Sequence, residues 1–375
     1  MKFKLKWCSS LQQFLIHLTR NNDLCNFITY GHLQTRLLMN FQVHIFVLFI
    51  TAFISTCENQ YEHLEEMDKF TKIDLLSEDQ SKEIDQVIFN YIHAYSYISV
   101  GLLGQDGAVL IRSYGSDRIG VTDVYASVSK PVTSMIFFQM LEQGMIASVD
   151  DSIAMYSEKY KGVMPDEFID SPVTFKHLLA HQSGLPHHDL IWENGKLVLE
   201  FEPGTSTLYS TNAYGVLGEI LSEISDMSYN HLLKSYIGNP VQAESFTASS
   251  FLFEAPGGLV NSTISDMALF ANGVLDNVYI SDSLKMNLQW VPVTSDPIGA
   301  IGMGWYLTNY GTDSLAVFHA GSNGKPRAFI ALRPKQHLGV VLMGKNHSSH
   351  GSQRFYELAR DLTRKLRSFE LASEN

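Results

Sequence analysis

The sequence predicts an α/β (α+β) fold, one antiparallel sheet flanked by helices with a helical insertion. Three observations lead there. A strand–turn–strand pattern lies near the start of the body, further strand-like runs close it, and the stretch between them is helical and loop-rich. The economical assembly pairs strands from the two ends of the chain in one sheet, covers it with terminal helices and inserts the helical middle.

The elements follow in order. From Ile84, the positions Ile84, Val87, Ile88, Tyr91 and Ile92 keep helical spacing. The runs Tyr97–Leu103 and Val109–Ile111 flank Gly104-Gln105-Asp106-Gly107, and an Asp-Gly turn between apolar runs predicts a hairpin. Residues 127–144 read as an apolar helix stopped by Gly144. A helical subdomain extends over about 145–290. Strand-like runs follow at 302–308, 315–319, 327–333 and 338–343, and 352–367 is an amphipathic helix. The domain reading is therefore an N-terminal extension with an export signal over 1–57, a polar tether over 58–82, and one catalytic-sized domain over 83–368.

A chain of 375 residues, 45% hydrophobic and 18% charged, can bury a large core. Its net charge of −12 argues against a nucleic-acid partner, which demands clustered Lys and Arg. The charge is uneven: residues 1–57 carry a net of +4, leaving −16 for the acidic remainder. The apolar run Ile45–Ile54 is shorter than the roughly 20 residues of a membrane span, but matches a signal-peptide core. It ends in Ile54-Ser55-Thr56-Cys57, which is similar to a bacterial lipoprotein cleavage box, with Cys57 the lipidated residue and Met39 a start for the exported form. The expected location is periplasmic or outer-membrane-associated through that lipid, with simple secretion as the alternative. Cys8, Cys25 and Cys57 all precede the body, so residues 58–375 hold no disulfide, thiolate nucleophile or Cys-bound zinc.

Candidate chemistry gathers in short words. Ser127-Val128-Ser129-Lys130 opens the apolar helix, where residues three apart share a face and the Lys130 amine can reach the Ser127 hydroxyl. Pro131 sits in the first turn, where a missing N–H is tolerated, and the helix N-terminus favours alkoxide character at Ser127. The bland alternative makes Ser127 an ordinary N-cap. Tyr209-Ser210-Thr211 offers a phenol that a nearby Lys130 ammonium would lower toward a useful base. His319-Ala320-Gly321-Ser322 ends a strand; Gly321 permits close backbone approach, and the Ser322 N–H can join that of Ser127 as an oxyanion donor. His177 and His181 with His187 and His188 raise the question of zinc. Leu178 stands where the metalloprotease word needs Glu, so no metal and no organic cofactor is expected. No Gly-x-Ser-x-Gly occurs, which removes the α/β-hydrolase route.

The order of Ser127-x-x-Lys130, His177-Leu178-Leu179-x-His181-x-Ser183-Gly184-Leu185-Pro186, Pro203-Gly204-Thr205 with Tyr209-Ser210, Pro256-Gly257-Gly258-Leu259, and His319-Ala320-Gly321 resembles the serine β-lactamase/penicillin-binding superfamily. The resemblance is strongest to its class C-like branch, which also holds D-stereospecific peptidases, esterases and mitochondrial lactamase-like proteins, and it spans residues 84–368. It implies the β-lactamase/transpeptidase-like fold, with the site in the cleft between sheet and helical lobe. It also implies Ser127 as the acylated nucleophile, Lys130 holding its proton network, Tyr209 as general base, and His319 in place of the Lys of a Lys-Thr-Gly word.

Two departures bear on substrate. Thr211 stands where the family's Tyr-x-Asn word has Asn, and His319 replaces a permanent ammonium with a largely neutral imidazole. Lys325 and Arg327 stand close by in sequence as substitute cations. The expectation is a serine hydrolase acting on a small-molecule or peptide substrate, with an ester or D-amino-acid peptide favoured over a β-lactam; nothing in the sequence bears on its oligomeric state. The other reading is a catalytically silent ligand-binding or scaffolding lipoprotein on the same fold; the intact Ser127, Lys130 and Tyr209 set favours the enzyme.

Overall fold

In the computed structural model, which describes residues 69–249, 253–347 and 352–373, the chain begins with strand β1 (Lys69–Asp74) and helix α1 (Glu78–Ile92). Ser77 starts α1 for a local reason: its hydroxyl accepts the Gln80 N–H while the Gln80 side chain accepts the Ser77 N–H. The hairpin β2 (Tyr95–Gly104) and β3 (Gly107–Tyr114) turns through Gln105-Asp106, with Gly104 paired to Gly107. Helix α2 (Ser129–Glu142) ends before Gly144, whose φ of +74° is the left-handed stop expected there. The middle supplies α3 (Thr211–Ser225) and α4 (Ile264–Leu275), with short ribbons and turns. The chain then returns to the sheet as β4 (Thr294–Ser295), β5 (Ala300–Ile301), β6 (Tyr306–Thr308), β7 (Ala316–Ser322), β8 (Pro326–Arg333) and β9 (Leu338–Asn346), and closes with α5 (Ser352–Ser373).

One nine-stranded antiparallel sheet results, in the order β1-β3-β2-β9-β8-β7-β6-β5-β4. The seam between the two ends of the chain is β2 against β9, from Gly339↔Leu103 to Lys345↔Tyr97. α1 and α5 cover one face, where Phe355 meets Gly344. α4 lies on the opposite face, so close that a Cβ on Gly101 would sit 3.2 Å from the Ala268 Cβ. α2 is buried from Ser129 to Met140, as a helix apolar on all sides must be.

Two expectations change. Residues 69–82 are not tether: β1 is an edge strand and α1 starts at Glu78. A buried ion cluster holds them, in which Arg112 Nη1 donates to Asp85 at 2.8 Å and its Nη2 to Asp74, while Lys69 reaches Asp85 at 2.9 Å. Of the run 302–308 only Tyr306–Thr308 is strand, as β6, while β5 precedes it at Ala300–Ile301; between them the chain bends at Gly304 (φ +93°), where a Cβ would lie 2.4 Å from the Ser134 Cβ. The export signal, Met39 and Cys57 lie outside the described residues. Among those described, no helix is long and apolar enough to cross a membrane.

Removing Asp85 leaves the Arg112 guanidinium buried with one of its two carboxylates gone. Asp85→Ala is expected to cost about 3 kcal/mol or more in urea denaturation; a loss below about 0.5 kcal/mol contradicts this account of how β1 and α1 are held.

Candidate active site

Ser127 does not cap α2. It sits in a tight 3₁₀ turn, Ala126–Val128, and the cap position of α2 is Val128, which makes no side-chain cap bond. Ala126 is forced to φ +46°, a left-handed conformation that costs a non-glycine residue about 1–2 kcal/mol. Ser129 pins the turn, its hydroxyl donating to Ala126 O at 2.6 Å and accepting from Val260 N at 3.0 Å. The turn buries Ala126 and Val128 and leaves Ser127 half-buried on the cleft.

Lys130 points from the first turn of α2 into the interior and is fully buried. Its Nζ donates to Gly257 O at 2.7 Å, lies 3.4 Å from Thr211 Oγ1, and stands 4.6 Å from the ring centre of Tyr209. Among the described residues no carboxylate pairs with it, and burial pulls its pKa down to about 7, with Glu254 acting in the other sense. Tyr209 behaves opposite to expectation. Burial pushes its phenol up, and the hydrogen bond with Ser127 offsets only part of that rise. Desolvation and the Asp296 carboxylate both hold the phenol protonated, so the group poised near neutral pH is Lys130.

The histidine-rich loop holds this segment in place. His181 Nδ1 accepts from Ser210 N at 3.1 Å, His187 Nδ1 accepts from Thr211 N at 3.1 Å, and Ser210 Oγ donates to Pro186 O at 2.9 Å. His177 closes a capping box with Thr174, and His188 meets Glu254 at 2.7 Å. The His181 ring lies 4.4 Å from that of Tyr209. Thr211 is buried against Gly257 and is not part of the cleft wall; Asn212, one residue on, spends its amide on Pro186 O and Asp189 O.

β7 forms the other wall. Its ladder with β6 ends at Phe318, so His319–Ser322 offer a strand edge to the cleft. Gly321 makes this possible, since a Cβ there would lie 2.4 Å from Tyr125 O and 3.2 Å from Ser127 N. His319 is buried, holds Ala320 O at 2.9 Å through Nδ1, and is pulled down to about 3 by burial and the nearby Lys130, so its imidazole is neutral throughout the physiological range. Ser322 and Arg327 line the cleft, and Arg327 spans Gly324 O at 2.6 Å and Pro326 O at 2.9 Å. Lys325 is exposed and outside the lining. The cleft, about 340 Å³, is completed by residues no motif announced: Asp296, Tyr306, Phe329 and Tyr356. Asp296 follows β4 in a turn, and the three aromatic residues stand on strands and a helix with ordinary aromatic patterning, so no local signal marks them.

A family model described as Beta-lactamase matches residues 124–363, a span that includes Ser127, Lys130, Tyr209 and His319. The chain belongs to the β-lactamase family. Relatives include the Beta-lactamase-like protein 2 of Dictyostelium discoideum, 24% identical over 53% of this chain and 41% of its own length. The Penicillin-binding protein 4* of Bacillus subtilis is 25% identical over 52% of this chain and 54% of its own. The chain thus spans about half the length of these curated relatives. Among solved structures, an octameric penicillin-binding protein homologue from Pyrococcus abyssi aligns with a TM-score of 0.62 at 16% identity, covering 79% of this chain and 78% of that one. A beta-lactamase/D-alanine carboxypeptidase from Yersinia pestis aligns with a TM-score of 0.61 at 20% identity, covering 77% of this chain and 99% of that one. The fold is the serine-hydrolase and penicillin-binding type of this family.

Gly321→Ala puts a methyl group against Tyr125 O and parts the strand from the Ser127 turn. The expected cost is about 1–3 kcal/mol in chemical denaturation, and an unchanged midpoint contradicts the close approach.

Proposed function

We propose that this β-lactamase-family protein is a serine hydrolase that forms an acyl-enzyme at Ser127, acting on a small ester or D-amino-acid peptide in preference to a β-lactam. The observation that carries the reading is the meeting of Ser127, buried Lys130 and Tyr209 at one end of a cleft, with a strand edge alongside. Ser127 Oγ attacks the substrate carbonyl and its proton passes to neutral Lys130 Nζ. The N–H groups of Ser127 and Ser322 receive the developing oxyanion. Tyr209, kept protonated by burial, gives its proton to the leaving oxygen or nitrogen and recovers one from Lys130. Water then repeats the attack on the acyl-enzyme.

The choice against a β-lactam rests on His319. A neutral imidazole stands here in place of a permanent ammonium, exposed Lys325 lies outside the cleft, and Arg327, which lines it, spends Nη1 on Gly324 O and Pro326 O. The run Ile45–Ile54 followed by Cys57 supports export, with lipid attachment at Cys57.

A fluorophosphonate should add once per chain, at Ser127 by peptide mapping, with no adduct in Ser127→Ala. A protein that stays unlabelled, or labels equally in the variant, removes the nucleophile assignment. Because Lys130 accepts the proton only when neutral, the second-order labelling rate should climb as pH passes upward through about 7 and level off above it. His319 titrates far below and Tyr209 above that range, so a rate flat from pH 5.5 to 8.5 speaks against Lys130 as base.

A further inference from the structure

The cleft does not stop at Ser127. It passes over the free edge of β7 at His319–Ser322 and continues onto the sheet face covered by α5. On that face Ala320 is paired with Phe329, and the rings of Tyr306, Phe318 and Phe329 form a row, stacked at 5.6 and 6.0 Å. Tyr356 of α5 stands edge-on across the row, 5.6 Å from Phe318 and 4.9 Å from Phe329. Such a wall accepts a flat apolar group, and about 340 Å³ suits one substituted ring better than a long chain.

Tyr306 and Asp296, polar groups at this end, are committed to one another and to the backbone. Tyr306 donates its hydroxyl to Asp296 Oδ2 at 2.7 Å, and Asp296 Oδ1 accepts from Ile298 N at 2.7 Å and Gly299 N at 3.2 Å. The Tyr356 hydroxyl is buried and has no hydrogen-bond partner among the described residues. Buried hydroxyls are rarely left so, and one that lines a binding cleft is suited to be satisfied by what binds. Burial and the nearby Asp296 carboxylate keep this phenol protonated, so it donates. The same carboxylate disfavours an anion beside it, and Arg327, the cation in the cleft lining, is held through Nη1 at Gly324 O and Pro326 O, which makes a neutral acceptor the matching chemistry.

We propose that Tyr356 is a specificity-determining residue, donating its hydroxyl hydrogen to a neutral acceptor such as a carbonyl carried on an aromatic acyl group. The assignment rests on the serine-hydrolase reading above. There the leaving group departs toward Tyr209, its proton donor, and the acyl group remains for the wall built by β7 and α5.

The test compares two nitrophenyl esters of the same shape, 4-acetylphenylacetate and 4-isopropylphenylacetate, on the full chain and on Tyr356→Phe, with fluorophosphonate labelling at Ser127 as the check of folding. The wild type should favour the acetyl ester about fivefold in kcat/KM, the worth of one neutral hydrogen bond, and the variant should bring that ratio to about one. A preference that persists in the variant, or is absent from the wild type while Ser127 labels, overturns the role of Tyr356 alone. If Ser127 does not label in the wild type, the hydrolase reading fails and takes this one with it. If only the variant fails to label, the wild-type ratio decides: about fivefold supports the assignment and about one overturns it.

Discussion

An ammonium buried with no carboxylate partner among the described residues is an expensive object, and the candidate site is built around one. Lys130 has a carbonyl, a threonine hydroxyl and the faces of Tyr209 and Tyr214 for company. These soften the loss of hydration without repaying it, so the balance is struck by the proton, which is held only to a pKa of about 7. The surroundings follow from that requirement. α2 must be apolar on every side to carry Lys130 inward, and Gly257 must lack a side chain, since a Cβ there would lie 2.8 Å from Thr211 O. The histidines that ring Tyr209 must be neutral too, and His181 and His319 are pushed down by burial and by Lys130 itself.

The second constraint is proximity between distant parts of the chain. Ser127 lies in a turn before α2, and the edge of β7 arrives nearly two hundred residues later. Their contact depends on the β2–β9 seam, which joins the two ends of the chain into one sheet, and on Gly321, which lets two backbones touch. Ala126 bears conformational strain at this junction. It is tolerated because Ser129, Val260 and the strand edge together leave the turn no alternative.

Much of this was legible in the residues. The Asp-Gly hairpin, the apolar helix with its Gly144 stop, the closing strands and the terminal amphipathic helix stand where the periodicities put them, give or take a few residues. The words containing Ser127, Lys130, Tyr209 and His319 pointed to one site because each has local grammar: a helix start, a helix entry, a strand end. Illegible features lacked such grammar. β1 reads as polar tether because its pairing is secured by Arg112 and Asp85, side chains from elsewhere in the chain. Lys325 looked equivalent to Arg327, yet their positions in the hairpin put one in solvent and the other in the cleft.

By itself, then, the sequence determined the class of fold, the order of its elements and the set of candidate side chains, since those depend on periodicity, turn chemistry and residue type within a few neighbours. Only the tertiary structure decided how those side chains are tuned. Proximity suggested that Lys130 would draw the Tyr209 phenol down; burial raised the phenol and lowered the lysine instead. The reason is physical: desolvation depends on everything packed around a group, and that shell is gathered from segments far apart in the chain. The same holds for the aromatic wall of Tyr306, Phe329 and Tyr356, which exists only where two strands and a terminal helix meet.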